Sequence, residues 1–193
     1  DRLRSSCAER DIELRLVHGQ PSAFEALKQD VGQLPWADVV KNRFLRVGGT
    51  DLVWQPFPAT LRDADLVVLI QENRLLSNYP FLLRMGVRPE QRIAFWGHGR
   101  NLQSASPNGA RERWKRWFVK RVDWWFAYTE LTRSILCSDN FPSDRITVLN
   151  NAIDNNEFMS DLAAVTPIQM QSCRDRLGSS KDAPIGIYCG SLY

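Results

Sequence analysis

The chain has 193 residues, 44% hydrophobic and 24% charged, with nine Phe, seven Trp and four Tyr. That size suits one ordinary domain with a real core, and that aromatic content excludes a wholly disordered chain. The net charge is +3, too mild to argue for nucleic acid by itself, and no run reaches the roughly 18–20 apolar residues a membrane span needs.

Taken in chain order, Asp1–Arg10 reads as the tail of a helix, with no signal-peptide pattern. Asp11–Val17 (DIELRLV) alternates and predicts a strand ending in a His18-Gly19 turn. Pro21–Gln29 fits a short helix or a loop. Val39–Val47 and Asp51–Phe57 read as two short strands, and Gly48-Gly49 between them is a hairpin signal. From Asp65 the pattern changes. Asp65–Gln71 (DLVVLIQ) is a near-continuous apolar run, the mark of a parallel strand buried on both faces. Asn73–Met85 follows with helical spacing and a kink expected at Pro80. Arg92–Gly97 (RIAFWG) predicts a buried strand, Ala110–Val122 a charged helix and Trp124–Tyr128 (WWFAY) a strand. Thr129 is placed to cap a helix over Thr129–Leu136, and Arg145–Leu149 predicts another strand.

Strands alternating with helices at this spacing predict βαβ units, right-handed crossovers and a mostly parallel sheet. The predicted class is α/β, Rossmann-like, with three αβα layers. In such sheets ligands meet the carboxyl ends of the strands. Asn155–Pro184 reads as a connector in which Met170–Leu177 can form a short helix. Ile185–Cys189 then reads as the first strand of a new domain, giving a domain over 1–183 and the start of another over 184–193.

Both histidines follow apolar strands and precede a glycine: His18 in VHGQ and His98 in WGHGRN. An imidazole at a strand end can exchange a proton with, or hydrogen-bond, a sugar hydroxyl. A strand-capping histidine that bonds the backbone explains the same pattern, more readily for His18 than for His98. Gly97, Gly99, Arg100 and Asn101 around His98 suggest free backbone N–H groups and a cation for a hydroxyl-rich or anionic ligand. Glu72-Asn73-Arg74 and Asn150–Asp154 also follow strands, but turn chemistry alone accounts for them. Cys7, Cys137, Cys173 and Cys189 have no CxxC and no Cys/His metal spacing. They read as reduced thiols with a packing role, and no metal is expected. P-loop, GxGxxG, zinc-protease and GxSxG motifs are absent.

The helix ARERWKRWFVKRV carries Arg111, Arg113, Lys115, Arg116, Lys120 and Arg121 among Trp114, Trp117 and Phe118. Such a helix either packs Trp117, Phe118 and Val122 on a sheet and solvates its charges, lies on an anionic bilayer, or grips phosphates. The membrane reading assigns Arg113, Arg116, Trp117 and Lys120 to the membrane-facing side. Nucleic acid is the least favoured partner.

The stretch WWFAYTELTRSILCSDNFPSDRITVLNNAIDNNEF resembles retaining glycosyltransferases of family 4, which have the GT-B fold. In these a strand, a Ser- or Thr-started helix and an apolar strand run into Asn-Gly-Ile-Asp; Ala152 stands here for that glycine. AFWGHGRNLQ is similar to the segment holding the family's acceptor-side histidine, and IGIYCGSLY to the opening of its donor-binding domain. The resemblance spans about Asp65 to Tyr193. It implies an N-terminal, acceptor-side half of an enzyme that moves a sugar from a nucleotide-sugar donor to a glycan or lipid-linked acceptor. The nucleotide sugar would be held by the second domain, so this half alone would bind no cofactor and be inactive. His98 would serve the reaction, with Gly97, Gly99, Arg100, Asn101 and His18 toward the acceptor. The implied location is cytoplasmic, peripheral on the inner membrane face. A non-catalytic Rossmann-like module that binds nucleic acid or membrane, and a GT-B sugar-nucleotide epimerase, are the alternatives.

Overall fold

The computed structural model describes residues 2–23, 26, 34–99, 110–150, 155–180 and 183–186, apart from the side chains of 110–112 and 115. The chain divides into two compact units, 1–151 and 152–193.

The first unit opens with α1 (Arg2–Ala8), β1 (Val17–Gly19), β2 (Asp38–Val40) and the pair β3 (Arg43–Val47) and β4 (Thr50–Trp54). The expected strand over Asp11–Val17 is only the short β1, so His18 and Gly19 lie in a strand and not after one. β1 pairs in parallel with β2, His18 opposite Val39. The expected strand over Val39–Val47 is broken at Lys41-Asn42, because its halves serve two sheets. The hairpin is as expected: Gly48 and Gly49 sit at φ +55° and +81° between paired Val47 and Thr50. A two-residue turn with both φ values positive matches strand twist and suits glycine.

The main sheet contains β5 (Leu66–Ile70), β6 (Arg92–Gly97), β7 (Trp124–Ala127) and β8 (Ile146–Val148), all parallel and in sequence order. α2 (Asn78–Leu82), α3 (Ala110–Val119) and α4 (Glu130–Ser138) lie between successive strands. Right-handed crossovers that always add the next strand on the same side put every helix on one face. The core agrees: Val67, Leu69, Ile93, Phe95, Trp125 and Ile146 of that face pack with Leu82, Phe118, Val119 and Leu136 of the helices. Trp125 is fully buried and donates its indole N–H to the Val119 carbonyl, 3.1 Å. On the other face Leu66, Val68 and Ile70 are 45%, 41% and 46% exposed. The apolar run DLVVLIQ is therefore buried on one face only, which the winding order decides.

The expected helix over Asn73–Met85 is short. Residues 73–76 instead tie to β4: Val53 N–H donates to Arg74 O and Leu76 N–H to Val53 O, 2.8 and 2.7 Å. Pro80 lies in the first turn of α2, where a helix has no use for its N–H, so it does not kink the helix. Thr129 caps α4 as expected, accepting from Thr132 N–H at 3.3 Å.

At the amino edge of the sheet, Asp123 joins three segments. Its N–H donates to Ile93 O, and its Oδ2 accepts from Ile93 N–H and from Arg84, at 2.7, 2.8 and 2.6 Å. Arg92 lies 3.7 Å from Oδ1. Burial, the largest influence, acts to raise the carboxyl pKa. The Ile93 N–H bond, the bond and charge of Arg84, and the charge of Arg92 together outweigh it and hold the carboxyl below its usual range.

The second unit contains α5 (Asn156–Ala164) and α6 (Pro167–Arg176), in the stretch expected as a connector. α6 carries its own end signals. Thr166 and Gln169 form a reciprocal capping box with Pro167 at the first position. Gly178 at φ +63° closes the helix: its N–H donates to Asp175 O, and Ser179 N–H donates to Arg174 O. Cys137 packs against the core of the first unit and Cys7 is half-buried. Cys173 is exposed on α6, which corrects the expected packing role. Cys189 and most of the expected strand Ile185–Cys189 lie outside the described residues, as do most of Pro21–Gln29 and residues 151–154.

Because the folded pKa of Asp123 is depressed, its carboxylate stabilises the fold above the ordinary carboxylate range. That contribution fades as pH falls through the range toward the lower folded value. Asp123→Ala is expected to cost about 1–3 kcal/mol at neutral pH, since it leaves the buried Ile93 N–H unpaired. Thermal unfolding between about pH 6 and pH 3 should show a smaller acid loss in Asp123→Ala than in the parent.

Candidate functional site

The carboxyl ends of β5, β6 and β7 lie at one edge of the sheet, as parallel pairing requires. Ile70 pairs with Trp96, and Gly97 with Ala127. One step further, Gln71 stands beside Gly97 and His98 beside Tyr128. By strand alternation Gln71 is on the helix-covered side, and His98 and Tyr128 are on the open side.

Gln71 extends the β5–β6 ladder with its side chain. Its backbone N–H donates to Trp96 O at 2.9 Å. Its side-chain Nε2 then donates to Gly99 O, and its Oε1 accepts from Gly99 N–H, both at 2.9 Å. The primary amide thus pairs with the backbone of Gly99 as another peptide would. Gly99 N–H is not free for a ligand, contrary to the sequence expectation for this loop.

Both flanking glycines are buried. A Cβ on Gly97 would lie 2.7 Å from Gln71 Cβ and 2.9 Å from its Oε1. Gly99 has φ +72°, and a Cβ there would lie 3.2 Å from Leu136 Cδ2. The protein itself fills the room at these glycines.

His98 is exposed at this edge. Its imidazole lies on the phenol ring of Tyr128, with centroids 4.3 Å apart and planes 33° apart. Trp96 contributes a second ring at 6.4 Å from Tyr128. Tyr128 N–H donates to Gly97 O at 3.4 Å, so backbone and ring both join the two tips. The Trp96 indole N–H is buried without a partner among the described residues, a cost this edge carries. An exposed imidazole at a strand end can donate or accept a hydrogen bond and shuttle a proton.

His18 is half-buried in the separate two-stranded sheet. The Asn42 side chain fills the space beside Gly19, and its Nδ2 donates to Gln20 O at 2.9 Å. Arg100 and Asn101 lie outside the described residues. Glu72 pairs with Arg74, while Asn73 O accepts from Tyr79 OH of α2 at 3.1 Å, so this turn is tied to its own residues and to neighbouring elements.

α3 divides its faces. Phe118 and Val119 are in the core, while Trp114 and Trp117 are 51% and 49% exposed. Arg113 and Lys120 are exposed beside them and Arg116 is half-buried. Arg121 stacks over the Trp117 ring at 4.1 Å. Trp114 donates to Tyr79 OH at 3.1 Å, and Tyr79, Leu83, Arg113, Trp114, Trp117 and Phe118 line a shallow open groove. Trp117 thus belongs to the outer face and not to the core.

Sequence reasoning missed Gln71 and Tyr128. The signal was positional: each is the first residue past its strand, beside WGHG in register. Among the described residues no group of three His, Cys, Asp or Glu side chains is placed to hold a metal ion, and no helix is long and apolar enough to cross a membrane. Comparison with known proteins finds no matching family model, no matching curated protein and no matching solved structure.

Gly97→Ala should displace Gln71 and destabilise the fold by about 1–3 kcal/mol, as overpacked cores do. Urea unfolding of the variant against the parent checks this.

Proposed function

We propose that this chain is the acceptor-side half of a two-domain glycosyltransferase that takes a sugar from a nucleotide-sugar donor. One observation carries the reading: an exposed imidazole, His98, sits on a braced turn at the carboxyl edge of a parallel sheet. Ligands of open α/β sheets meet that edge. The resemblance of the segments around His98 and after Trp124 to family 4 of the retaining transferases supplies the reaction class. His98 contacts the acceptor or the transferring sugar, and Gly97, Gly99, Arg100, Asn101 and His18 are assigned to the acceptor side. The apolar open face of Leu66, Val68 and Ile70 supports a three-layer architecture, whose second helix layer would cover it. The nucleotide sugar belongs to a donor-binding domain beginning in 184–193.

The acceptor on this reading is a glycan or a lipid-linked glycan, reached from the cytoplasmic membrane face. The outer face of α3 favours the lipid-linked form. Two half-exposed tryptophans beside Arg113 and Lys120 suit an anionic bilayer surface.

In a protein carrying both domains, His98→Ala should reduce sugar transfer at least tenfold, or roughly 1.4 kcal/mol of transition-state stabilisation. Transfer within about twofold of the parent would remove His98 from the reaction. Product analysis separates a transferase from an epimerase, which needs no acceptor.

Sedimentation with anionic phosphatidylserine vesicles should fall when Arg113, Arg116 and Lys120 are changed to Gln, and zwitterionic vesicles should bind weakly throughout. Binding to nucleic acid that falls steeply with salt, without vesicle binding, would favour the non-catalytic module.

A further inference from the structure

Two residues at this edge of the sheet, Gln71 on the helix-covered side and Tyr128 on the open side with His98, determine where its imidazole can be. We propose that Gln71 and Tyr128 are positioning residues for His98; the proposal rests on the transferase reading for its functional meaning, though not for its geometry.

The His98 backbone is held on both sides. Gly97 before it is the last residue of β6, paired with Ala127. Gly99 after it is locked by two 2.9 Å bonds to the Gln71 amide. Two parallel bonds from one planar amide fix direction as well as distance. A side chain at Gly99 would meet Leu136, so the site accepts only glycine without rearrangement. With the backbone so fixed, the side chain of an exposed histidine still has rotamers to choose from. Tyr128 biases that choice by lying against the imidazole at 4.3 Å. A tilted pair of rings in close contact is worth about 0.5–1.5 kcal/mol, enough to favour one rotamer several-fold. Tyr128 is in turn tied to the same turn by its N–H bond to Gly97 O.

Positioning of this order matters to a transfer reaction. A misplacement of about 1 Å can cost a hundredfold in rate, because reacting groups must meet within a narrow range of distance and angle. The aromatic face is the operative feature, so Phe should replace Tyr128 and an aliphatic side chain should not.

The chain contains only two histidines, so its proton NMR spectrum has two imidazole Cε1–H lines, assigned by His98→Gln. The His98 line should lie upfield of its position in the urea-unfolded chain and show a nuclear Overhauser contact to Tyr128 ring protons. Tyr128→Phe should keep the upfield shift and Tyr128→Leu should lose it. Gln71→Met should weaken the Overhauser contact. An absent contact in the parent overturns the proposal without any variant, as does an unmoved His98 line in Tyr128→Leu that keeps the parent's circular dichroism. In the two-domain protein, Tyr128→Leu should lower kcat about tenfold or more with donor KM within about twofold, and Tyr128→Phe should match the parent. If His98→Ala abolishes transfer and Tyr128→Leu does not, the positioning role fails while the transferase reading stands. If the NMR signature holds and His98→Ala leaves transfer intact, the transferase role of His98 fails and the stack remains as structure only.

Discussion

The pairing of β6 with β7 is the constraint on which the rest of the molecule depends. It is set at the amino edge, where Asp123 receives Ile93 N–H on its carboxylate and returns its own N–H to Ile93 O. A strand pair can slip, and a slip of one residue would invert every side chain beyond it. The Asp123 carboxylate resists that slip, because it also holds Arg84 and lies near Arg92. Carried along the ladder, this register pairs Gly97 with Ala127 and so sets His98 beside Tyr128. The Asp123 network at one edge and the His98–Tyr128 contact at the other are thus two ends of one register.

The second organising feature is the one-sided winding of the sheet. Four strands in sequence order, joined by crossovers of one hand, gather α2, α3 and α4 on a single face. That face contains the fully buried Ile93, Trp125 and Leu136. The other face presents Leu66, Val68 and Ile70. The asymmetry explains why α3 shows two characters. Its inner side supplies Phe118 and Val119 to the core, and its outer side sets Trp114 and Trp117 between cations. Packing on the sheet and display of a basic aromatic surface are therefore not competing accounts of this helix.

The two histidine motifs look alike in sequence and separate in structure. Each is followed by a glycine, and in each region an amide side chain fills the space beside a glycine: Asn42 at Gly19 and Gln71 at Gly97. His18 is half-buried within a strand of the small sheet, whereas His98 lies past its strand and is exposed. The difference is one of strand end. Periodicity over DIELRLV predicts a strand but cannot locate its partner, and β1 forms only over the three residues that meet β2.

Local chemistry in the chain determined the elements whose cause is local. The apolar runs became β5 to β8, the paired glycines made the hairpin, Thr129 capped α4, and the Thr-Pro-Ile-Gln run contained an unread capping box for α6. Each of these depends on residues within a few positions, so the order of residues alone suffices. Tertiary structure alone decided which face of DLVVLIQ is covered, that 73–76 joins β4 instead of a helix, and that Gln71 and Tyr128 flank the His98 turn. Those outcomes depend on strand order and register, which bring together residues 28 and 30 positions apart. No spacing within a single segment carries that information.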